Sequence, residues 1–150
     1  MGAGGLQEIW RALKTRLFAN TALTDKLHAG SKGFYPEPVN AMIGFPNLGY
    51  RVIALNSKQG GSVTRLWRPT VEIGIYATDL PTAREIYTHM QSTFVIPQLD
   101  QSAIESATYR MDQFMHFNSV ELTRPIIQLD DGTEIYKVAS EWNCRVHLKP

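Results

Sequence analysis

Residues 66–78 alternate between apolar and polar side chains more regularly than any other part of the chain. The odd-numbered positions from Trp67 to Ala77 are apolar or small, and the even-numbered positions include Arg68 and Glu72. Successive side chains of a β-strand point to opposite faces, so this pattern predicts a long strand with one face in the core.

A second strand is predicted immediately upstream, over residues 50–56. A polar connection at residues 57–64, with Gly60 and Gly61 at its centre, separates the two strand patterns. Short glycine-bearing connections between strands favour an antiparallel hairpin. Residues 34–49 contain three prolines and two glycines, and we expect them to form a loop whose apolar side chains are partly buried.

Two amphipathic helices are predicted on either side of this hairpin. The first covers residues 6–17, with apolar side chains at three- and four-residue spacing, and Asn20 stops it before a short turn that Thr21 caps. The second starts after Asp79, the expected N-cap, and ends at Pro97. Its apolar stripe consists of Ala83, Ile86, Tyr87, Met90 and Phe94.

The last third of the chain predicts a second hairpin. After a polar loop at 98–108, residues 109–117 alternate, and residues 120–129 are expected to extend this strand pair. Asp130, Asp131 and Gly132 form a turn signature, and residues 133–148 then supply a long last strand.

The element order is therefore helix, hairpin, helix, hairpin, which is typical of an α+β fold. We expect a single domain over residues 1–150, with one antiparallel β-sheet of about four strands and both helices packed on one face. A chain of 150 residues is long enough for one domain with a substantial core. Residues 1–5, three of which are glycines, are expected to be flexible.

Composition argues against several classes of protein. The formal net charge of +1 disfavours a general nucleic-acid binder, which usually carries a clear basic surplus. The single cysteine, Cys144, cannot form an intramolecular disulfide, so a reduced cytoplasm is expected. No apolar run approaches the roughly 20 residues of a membrane-spanning helix, and the first residues lack the pattern of a signal peptide.

The near-zero net charge hides an uneven distribution along the chain. Residues 1–75 contain nine basic and four acidic side chains, a net charge of +5, whereas residues 76–150 carry −4. Folding can interleave the two halves and cancel this difference. Alternatively, the protein has one basic and one acidic face, which suits head-to-tail contacts between copies.

No cluster of polar residues has the spacing of a catalytic or metal site. The four histidines are scattered, and Cys144 and His147, three residues apart on a predicted strand, point to opposite faces. The acidic residues at 130–134 lack the alternate spacing of a calcium loop. We therefore expect no enzymatic activity, cofactor or metal.

Basic residues surround the predicted glycine turn. Lys58, Arg65 and Arg68 lie on either side of it, with Trp67 close by. Such a group can bind a nucleic-acid strand by charge and stacking, or it is a solvated hairpin tip with Trp67 in the core. A third interpretation is an arm that becomes ordered on contact with a protein neighbour.

Four segments of the sequence resemble the tail terminator family of long-tailed bacteriophages, also described as tail completion or head-tail joining neck proteins. They are the first helix at 6–17, FPNLGYRVIAL at 45–55 with its polar hairpin tip, VEIGIYATDLPTAREIYTHM at 71–90, and YKVASEWNCRVHL at 136–148. The recognisable core is a strand that ends in Tyr76 and Ala77, a short polar step, and a helix with Ala-Arg-Glu-Ile at 83–86. Residues 35–46 and 98–129 have no counterpart among the family's hallmarks.

The resemblance implies a structural virion protein that assembles into a ring, a hexamer, on the head-proximal end of the tail tube. Such a ring stops tube growth and presents a surface to the head-tail connector, or stopper, protein. The implied partners are other copies of the chain, the tail tube protein and the connector, with no membrane and no specific nucleic acid, although DNA can pass through the ring. The implied location is the tail or neck of the virion, after assembly in the host cytoplasm.

Five charged residues are the candidates for protein contacts. They are Lys58, Arg65 and Arg68 at the basic tip, with Asp130 and Asp131 at the acidic turn. Surfaces of opposite charge suit a closed ring, because each copy then needs two unlike, complementary surfaces. Another phage neck or tail protein, such as a stopper or a tube subunit, is the main alternative, and a small nucleic-acid-binding α/β module is the other.

Overall fold

The computed structural model describes residues 3–37, 44–59, 64–99, 104–121 and 124–149. The helices are α1 (Ala3–Phe18), α2 (Thr21–Thr24) and α3 (Leu80–Leu99), with a 3₁₀ turn at Gly30–Lys32. The strands are β1 (Phe34–Pro36), β2 (Asn47–Gln59), β3 (Thr64–Ala77), β4 (Ile104–Glu105), β5 (Tyr109–Glu121), β6 (Ile127–Gln128) and β7 (Glu134–Leu148). The predicted glycine turn at Gly60 and Gly61 lies outside the described residues, as do parts of 35–46 and 98–129.

The strands follow the order β1-β2-β3-β7-β5-β4, and β6 adds a short ladder to β7. The four long strands, β2, β3, β7 and β5, are antiparallel neighbours, as predicted. Because β1 runs parallel to β2, the sheet is mixed, and it is larger than the expected four-stranded antiparallel sheet. The added strands escape prediction because each has only two or three residues, too few to show an alternation.

The predicted hairpin of β2 and β3 is present, and it forms one half of the sheet. Its ladder begins with Asn47 opposite Tyr76 and ends with Gln59 opposite Thr64. β3 then pairs with β7 along most of its length. β7 is the last long strand in chain order, yet it lies in the middle of the sheet, between β3 and β5.

One apolar cluster joins the helices to a single face of the sheet, which confirms the predicted α+β class and single domain. Its fully buried side chains include Leu13, Leu17, Ile86, Met90 and Trp142. A polar group within the core is satisfied locally. The Ser140 hydroxyl donates to the carbonyl of Ile73 at 2.8 Å and accepts from the Trp142 indole N–H at 3.0 Å.

Asn20 fixes the junction between α1 and α2. Its Oδ1 accepts from the N–H of Leu23 at 3.3 Å, so Asn20, and not Thr21 as expected, is the N-cap of α2. Its Nδ2 donates to Thr93 Oγ1 at 2.9 Å and to the carbonyl of His89 at 3.2 Å. One side chain therefore caps a helix and ties that helix to α3, which a threonine hydroxyl is too short to do.

The ends of two helices differ from the expected ones. α1 begins at Ala3, so three of the five residues expected to be flexible are helical. α3 begins after Asp79 as predicted, and Asp79 Oδ1 accepts from the N–H of Thr82 at 2.7 Å. The helix continues through Pro97 to Leu99, because a proline removes one main-chain hydrogen bond without forcing the last turn to unwind.

The second predicted hairpin is present, but its connection is different. β5 ends at Glu121 and β6 covers only Ile127–Gln128, so residues 120–129 do not extend β5 as one strand. The predicted turn at Asp130, Asp131 and Gly132 connects β6 to β7. Gly132 has a φ of 88°, which glycine adopts without strain.

Candidate functional site

The predicted basic tip and the predicted acidic turn lie at opposite ends of the long strands. In the ladder of β3 and β7, Leu66 is opposite His147 at one end and Ala77 is opposite Tyr136 at the other. At about 3.3 Å per residue, these two ends are roughly 36 Å apart. The structure therefore separates the two groups of candidate residues and does not bring them into one site.

The basic tip occupies the far end of the hairpin of β2 and β3. Lys58 lies opposite Leu66 in the ladder, close to the end of β2. Arg65 and Arg68 both belong to β3, and the Arg68 side chain is exposed. The Lys58 and Arg65 side chains lie outside the described part of the structure. Arg68 lies on a strand as predicted. Lys58 was expected in the connection at 57–64 and Arg65 just before the strand, but the ladder of β2 and β3 extends to Gln59 and Thr64, so both residues lie on strands.

Two further basic residues lie at the same end of the sheet. Lys149 follows β7, and its Nζ lies 3.0 Å from the Glu105 carboxylate. Arg110 is opposite His147 on β7, and its Nε lies 3.8 Å from the same carboxylate. These residues are distant from the tip in sequence, so only the pairing of β7 with β3 and β5 brings them to this end.

The acidic turn is an ordered and exposed hairpin. The N–H of Leu129 donates to the carbonyl of Thr133 at 2.8 Å, and Asp131 Oδ1 accepts from the N–H of Thr133 at 2.9 Å. This hydrogen bond lowers the pKa of Asp131. Asp130, Asp131 and Glu134 are all exposed, so the hairpin presents negative charge to solvent.

The sheet also carries a set of polar contacts that we call the outer-face ion cluster. It consists of Glu37, Arg51, Glu72, Tyr76 and Lys137. The Glu72 carboxylate accepts from Arg51 Nη2 and from Lys137 Nζ, each at 2.8 Å. Glu37 Oε1 accepts from the Tyr76 hydroxyl at 2.5 Å and lies 3.6 Å from Lys137 Nζ. The cluster connects the end of β1 to β2, β3 and β7.

The outer-face ion cluster lies on the side of the sheet away from the helices, because Glu72 and Tyr76 alternate with the core-facing positions of β3. Both residues are nevertheless only 4% exposed. The Glu37 and Lys137 side chains are each 14% exposed, whereas that of Arg51 is 56% exposed. Two carboxylates and two cations balance in charge, which is what burial of ionised groups requires.

The protonation states follow from these contacts. Burial alone would raise the pKa of Glu72, but hydrogen bonds from Arg51 and Lys137 outweigh it and hold that pKa below its usual value. Burial, together with the hydrogen bond to Glu37, raises the pKa of Tyr76. At pH 7 Glu72 is therefore ionised, and Tyr76 is neutral and donates a hydrogen bond from its hydroxyl to Glu37.

Gly74 makes room for the Lys137 side chain. It lies between Glu72 and Tyr76 on β3, and Lys137 is opposite Tyr76 on β7. A Cβ at position 74 would lie 2.7 Å from Lys137 Cε and 3.2 Å from Tyr76 Cε2. Lys137 therefore crosses over the glycine to reach Glu72, and its ammonium lies 5.2 Å from the centroid of the Tyr76 ring.

The outer-face ion cluster was not predicted from the sequence. Its members come from separate segments between residues 37 and 137, and a charged residue on the polar face of a strand is normally solvated. One signal was present. A glycine inside a strand marks a close approach of another group, and Gly74 is such a glycine.

The outermost long strands of the sheet are β2 and β5, and each pairs with a short strand over its first residues only. β1 pairs with residues 48–50 of β2, and the N–H of Glu37 donates to the carbonyl of Tyr50 at 2.8 Å. β4 pairs with Arg110 and Met111 of β5. Among the described residues, no strand pairs with the outer edge of β2 at 51–59 or with that of β5 at 112–121. We call these stretches the uncovered edges of β2 and β5.

Within the described ranges, no group of three or more His, Cys, Asp or Glu side chains is placed to hold a metal ion. Cys144 is buried, and the alternation of β7 places His147 toward the other face, as predicted. Nor does any described helix have the length and apolar character needed to cross a membrane.

No protein-family model and no curated protein matches this sequence. The fold does have a solved counterpart, a chain described as "Virion of native gene transfer agent (GTA) particle", with a TM-score of 0.70. The match covers 97% of this chain and 99% of that chain at 10% sequence identity. At this identity the likeness shows a shared fold and nothing more.

Proposed function

We propose that this chain is a structural, non-enzymatic virion protein, a tail terminator that caps the head-proximal end of a phage tail tube as a ring. The observation that carries the proposal is the likeness of fold to a chain of a gene transfer agent virion, over 97% of this chain and 99% of the other. The proposed partners are other copies of the chain, the tail tube protein and the head-tail connector.

The surfaces of the protein suit a subunit of a closed ring. Each copy in a ring needs two different lateral surfaces, and the uncovered edges of β2 and β5 lie on opposite sides of the sheet. The basic tip and the acidic turn lie at the two ends of the strands. Lateral contacts then use the edges of the sheet and axial contacts use the ends of the strands, with Lys58 where the two surfaces meet. The tube and the connector contact opposite ends of the strands.

An assembly assay with the purified chain and growing tail tubes tests the proposal. We expect tubes to stop lengthening when the chain is added, with a single ring at one end of each tube in electron micrographs. Rings that form only on tubes support the proposal as well as rings in solution. A chain that stays monomeric at high concentration, does not bind tubes and does not limit their length would overturn it.

Charge reversal tests the candidate contact residues themselves. Reversal of Arg65 and Arg68 to Glu, or of Asp130 and Asp131 to Lys, should weaken assembly while the melting temperature stays nearly unchanged. Lys32→Glu is the control, because Lys32 is exposed, lies in the 3₁₀ turn and belongs to neither candidate group. A large loss of stability would show that the candidate residues serve the fold instead.

A tail tube subunit is the second candidate function. A basic group and an acidic group at opposite ends of one chain can also join copies end to end into a stack. Electron microscopy separates the two functions, because a tube subunit forms many stacked rings and a terminator forms one ring per tube.

A further inference from the structure

We infer that neighbouring copies join by pairing the uncovered edge of β2 in one copy with the uncovered edge of β5 in the next, and that β1 and β4 block one direction of slip along this ladder. This inference rests on the proposed ring and names the surface that closes it. The partner is a second copy of the same chain.

The two uncovered edges match in length and direction. The stretch on β2 has nine residues, 51–59, and the stretch on β5 has ten, 112–121. β2 is antiparallel to β3, β3 to β7, and β7 to β5, so β2 and β5 run in opposite directions. When the helix layers of two copies lie on the same side, the two edges form an antiparallel ladder that continues the sheet.

The ladders within each copy define equivalent register positions along the uncovered edges, namely those in step with the ladder positions of Glu72 on β3 and Glu141 on β7. On β2 these positions are Arg51, Ala54, Asn56 and Lys58. On β5 they are Asp112, Met115, Asn118 and Val120. Each edge therefore offers four positions despite the irregularities in both strands. Antiparallel pairing in register sets Lys58 opposite Asp112 and Ala54 opposite Asn118.

Charge favours the pairing of unlike edges. The uncovered edge of β2 contains Arg51 and Lys58 and no acidic residue, whereas that of β5 contains Asp112 and Glu121 and no lysine or arginine. Two β2 edges would place like charges across a ladder, and so would two β5 edges, which is destabilising. Two-fold dimers are therefore disfavoured, and contacts continue head to tail until a ring closes.

The short strands act as stops at the two ends of this ladder. β1 occupies the edge of β2 up to Tyr50, and the outer-face ion cluster holds its end through Glu37. β4 occupies the edge of β5 at Arg110 and Met111. Because the two edges run antiparallel, both stops block the same slip: a neighbour that slides two residues toward β1 meets β1 with its β5 and brings its own β4 against the end of β2. A slip in the other direction meets neither short strand, but it separates Lys58 from Asp112 and shortens the ladder. The stops therefore exclude one direction of slip, and charge and ladder length disfavour the other.

Paired cysteines in the full-length chain test the register. Ala54→Cys combined with Asn118→Cys should give covalent multimers when rings are oxidised, because opposed Cα atoms in a ladder lie about 4.5–5.5 Å apart, within disulfide range. The control combines Ala54→Cys with Val120→Cys, which moves one partner by a single same-face position. We expect on the order of tenfold less cross-linking in the control. Native Cys144 is buried, so it provides a low background.

A charge swap tests the pairing independently. Lys58→Glu alone, or Asp112→Lys alone, should weaken association on the order of tenfold, and the double variant should restore it. Lys26→Glu is the control, because it makes the same charge change at an exposed ion pair with Glu85 beside α3. Thermal melts confirm that each variant is folded. Double variants as weak as the single ones would overturn the inferred pairing.

The outcomes separate this inference from the proposed function. Rings that limit tube length but cross-link neither cysteine pair, or both pairs equally, overturn the edge pairing and leave the terminator role standing. Rings with the expected cross-links that do not bind tubes or limit their length uphold the edge pairing and overturn the terminator role. The expected result is a ring that cross-links only at the matched pair and caps a tube.

Discussion

The two faces of the sheet exclude water in different ways. On the helix side, β3 and β7 contribute to one apolar cluster in which Val71, Ile73 and Ile75 are completely buried. On the other face, Glu72 and Tyr76 are almost as deeply buried, but the groups around them are charged or polar. Apolar burial is non-directional, whereas an ion cluster depends on the position of every partner. Stability should therefore fall when side-chain volume is lost on the helix side, and when any single charged or hydrogen-bonding group is lost from the outer-face ion cluster.

The largest expected effect is a cavity on the helix side. Trp142→Ala removes the largest fully buried side chain and one hydrogen bond of Ser140, and it should lower the free energy of unfolding by about 4–5 kcal/mol. Urea denaturation measures this change. A loss below about 1 kcal/mol would show that the helix side is not the main core.

On the outer face, a substitution that keeps the side-chain volume but removes the charge should strongly lower the free energy of unfolding. Lys137→Met leaves the buried Glu72 and Glu37 carboxylates without their shared cation, and we expect a loss on the order of 3 kcal/mol. Lys149→Met removes an ion pair between side chains that are 33% and 48% exposed, so its loss should stay under about 1 kcal/mol. Urea denaturation measures both losses of unfolding free energy. Equal losses would show that the outer-face ion cluster depends on its lysine no more than a solvent-accessible ion pair does.

A double-mutant cycle between Gly74 and Lys137 sharpens the comparison. Gly74→Ala places a Cβ against the lysine stem and should cost about 1–2 kcal/mol. In the Lys137→Met background the thioether chain is not held by Glu72 and can move aside, so the cost should fall by about 1 kcal/mol. Purely additive losses would show that Gly74 is required for another reason.

The pH dependence of stability gives the smallest effect. The pKa of Glu72 is lower in the folded protein than its ordinary value of 4.5, so the unfolded chain binds the proton more readily. The stability that Glu72 contributes is therefore complete above about pH 4.5 and is lost as the pH falls through the folded-state pKa. In thermal melts at decreasing pH, the melting temperature of Glu72→Gln should fall less steeply than that of the native chain. Parallel acid profiles would show that other carboxylates dominate.

The same contrast explains which parts of the fold follow from the sequence. Periodic patterns predicted the four long strands, the two long helices and the Asp79 cap, because each pattern extends over many residues or uses a local hydrogen bond. β1 and β4 are too short to show a periodic pattern, and the Lys137 side chain is held by Glu72, which is distant in sequence. A single strand pattern contains no information on such partners.

The candidate site shows this limit most clearly. The charged residues at the basic tip and the acidic turn were predicted from local composition. Arg68 and the turn at Asp130 and Asp131 were placed correctly, whereas Lys58 was expected in the connection and lies on β2. Their separation by the length of the sheet follows only from the pairing of β3 with β7. Arg110 and Lys149 joined the basic end for the same reason, although nothing in their own neighbourhood in the sequence indicates it.

The central place of β7 has a consequence for synthesis. The ribosome synthesises β2, β3, α3 and β5 before β7. Until β7 is made, the edges of β3 and β5 that pair with it have no partner strand. The contacts that complete the sheet span about 70 residues of chain, and such non-local contacts form slowly. A nascent chain without β7 has no continuous sheet to offer a neighbour. Competence for the proposed ring assembly should therefore arise only after the sheet is complete, which would keep unfinished subunits out of the proposed ring.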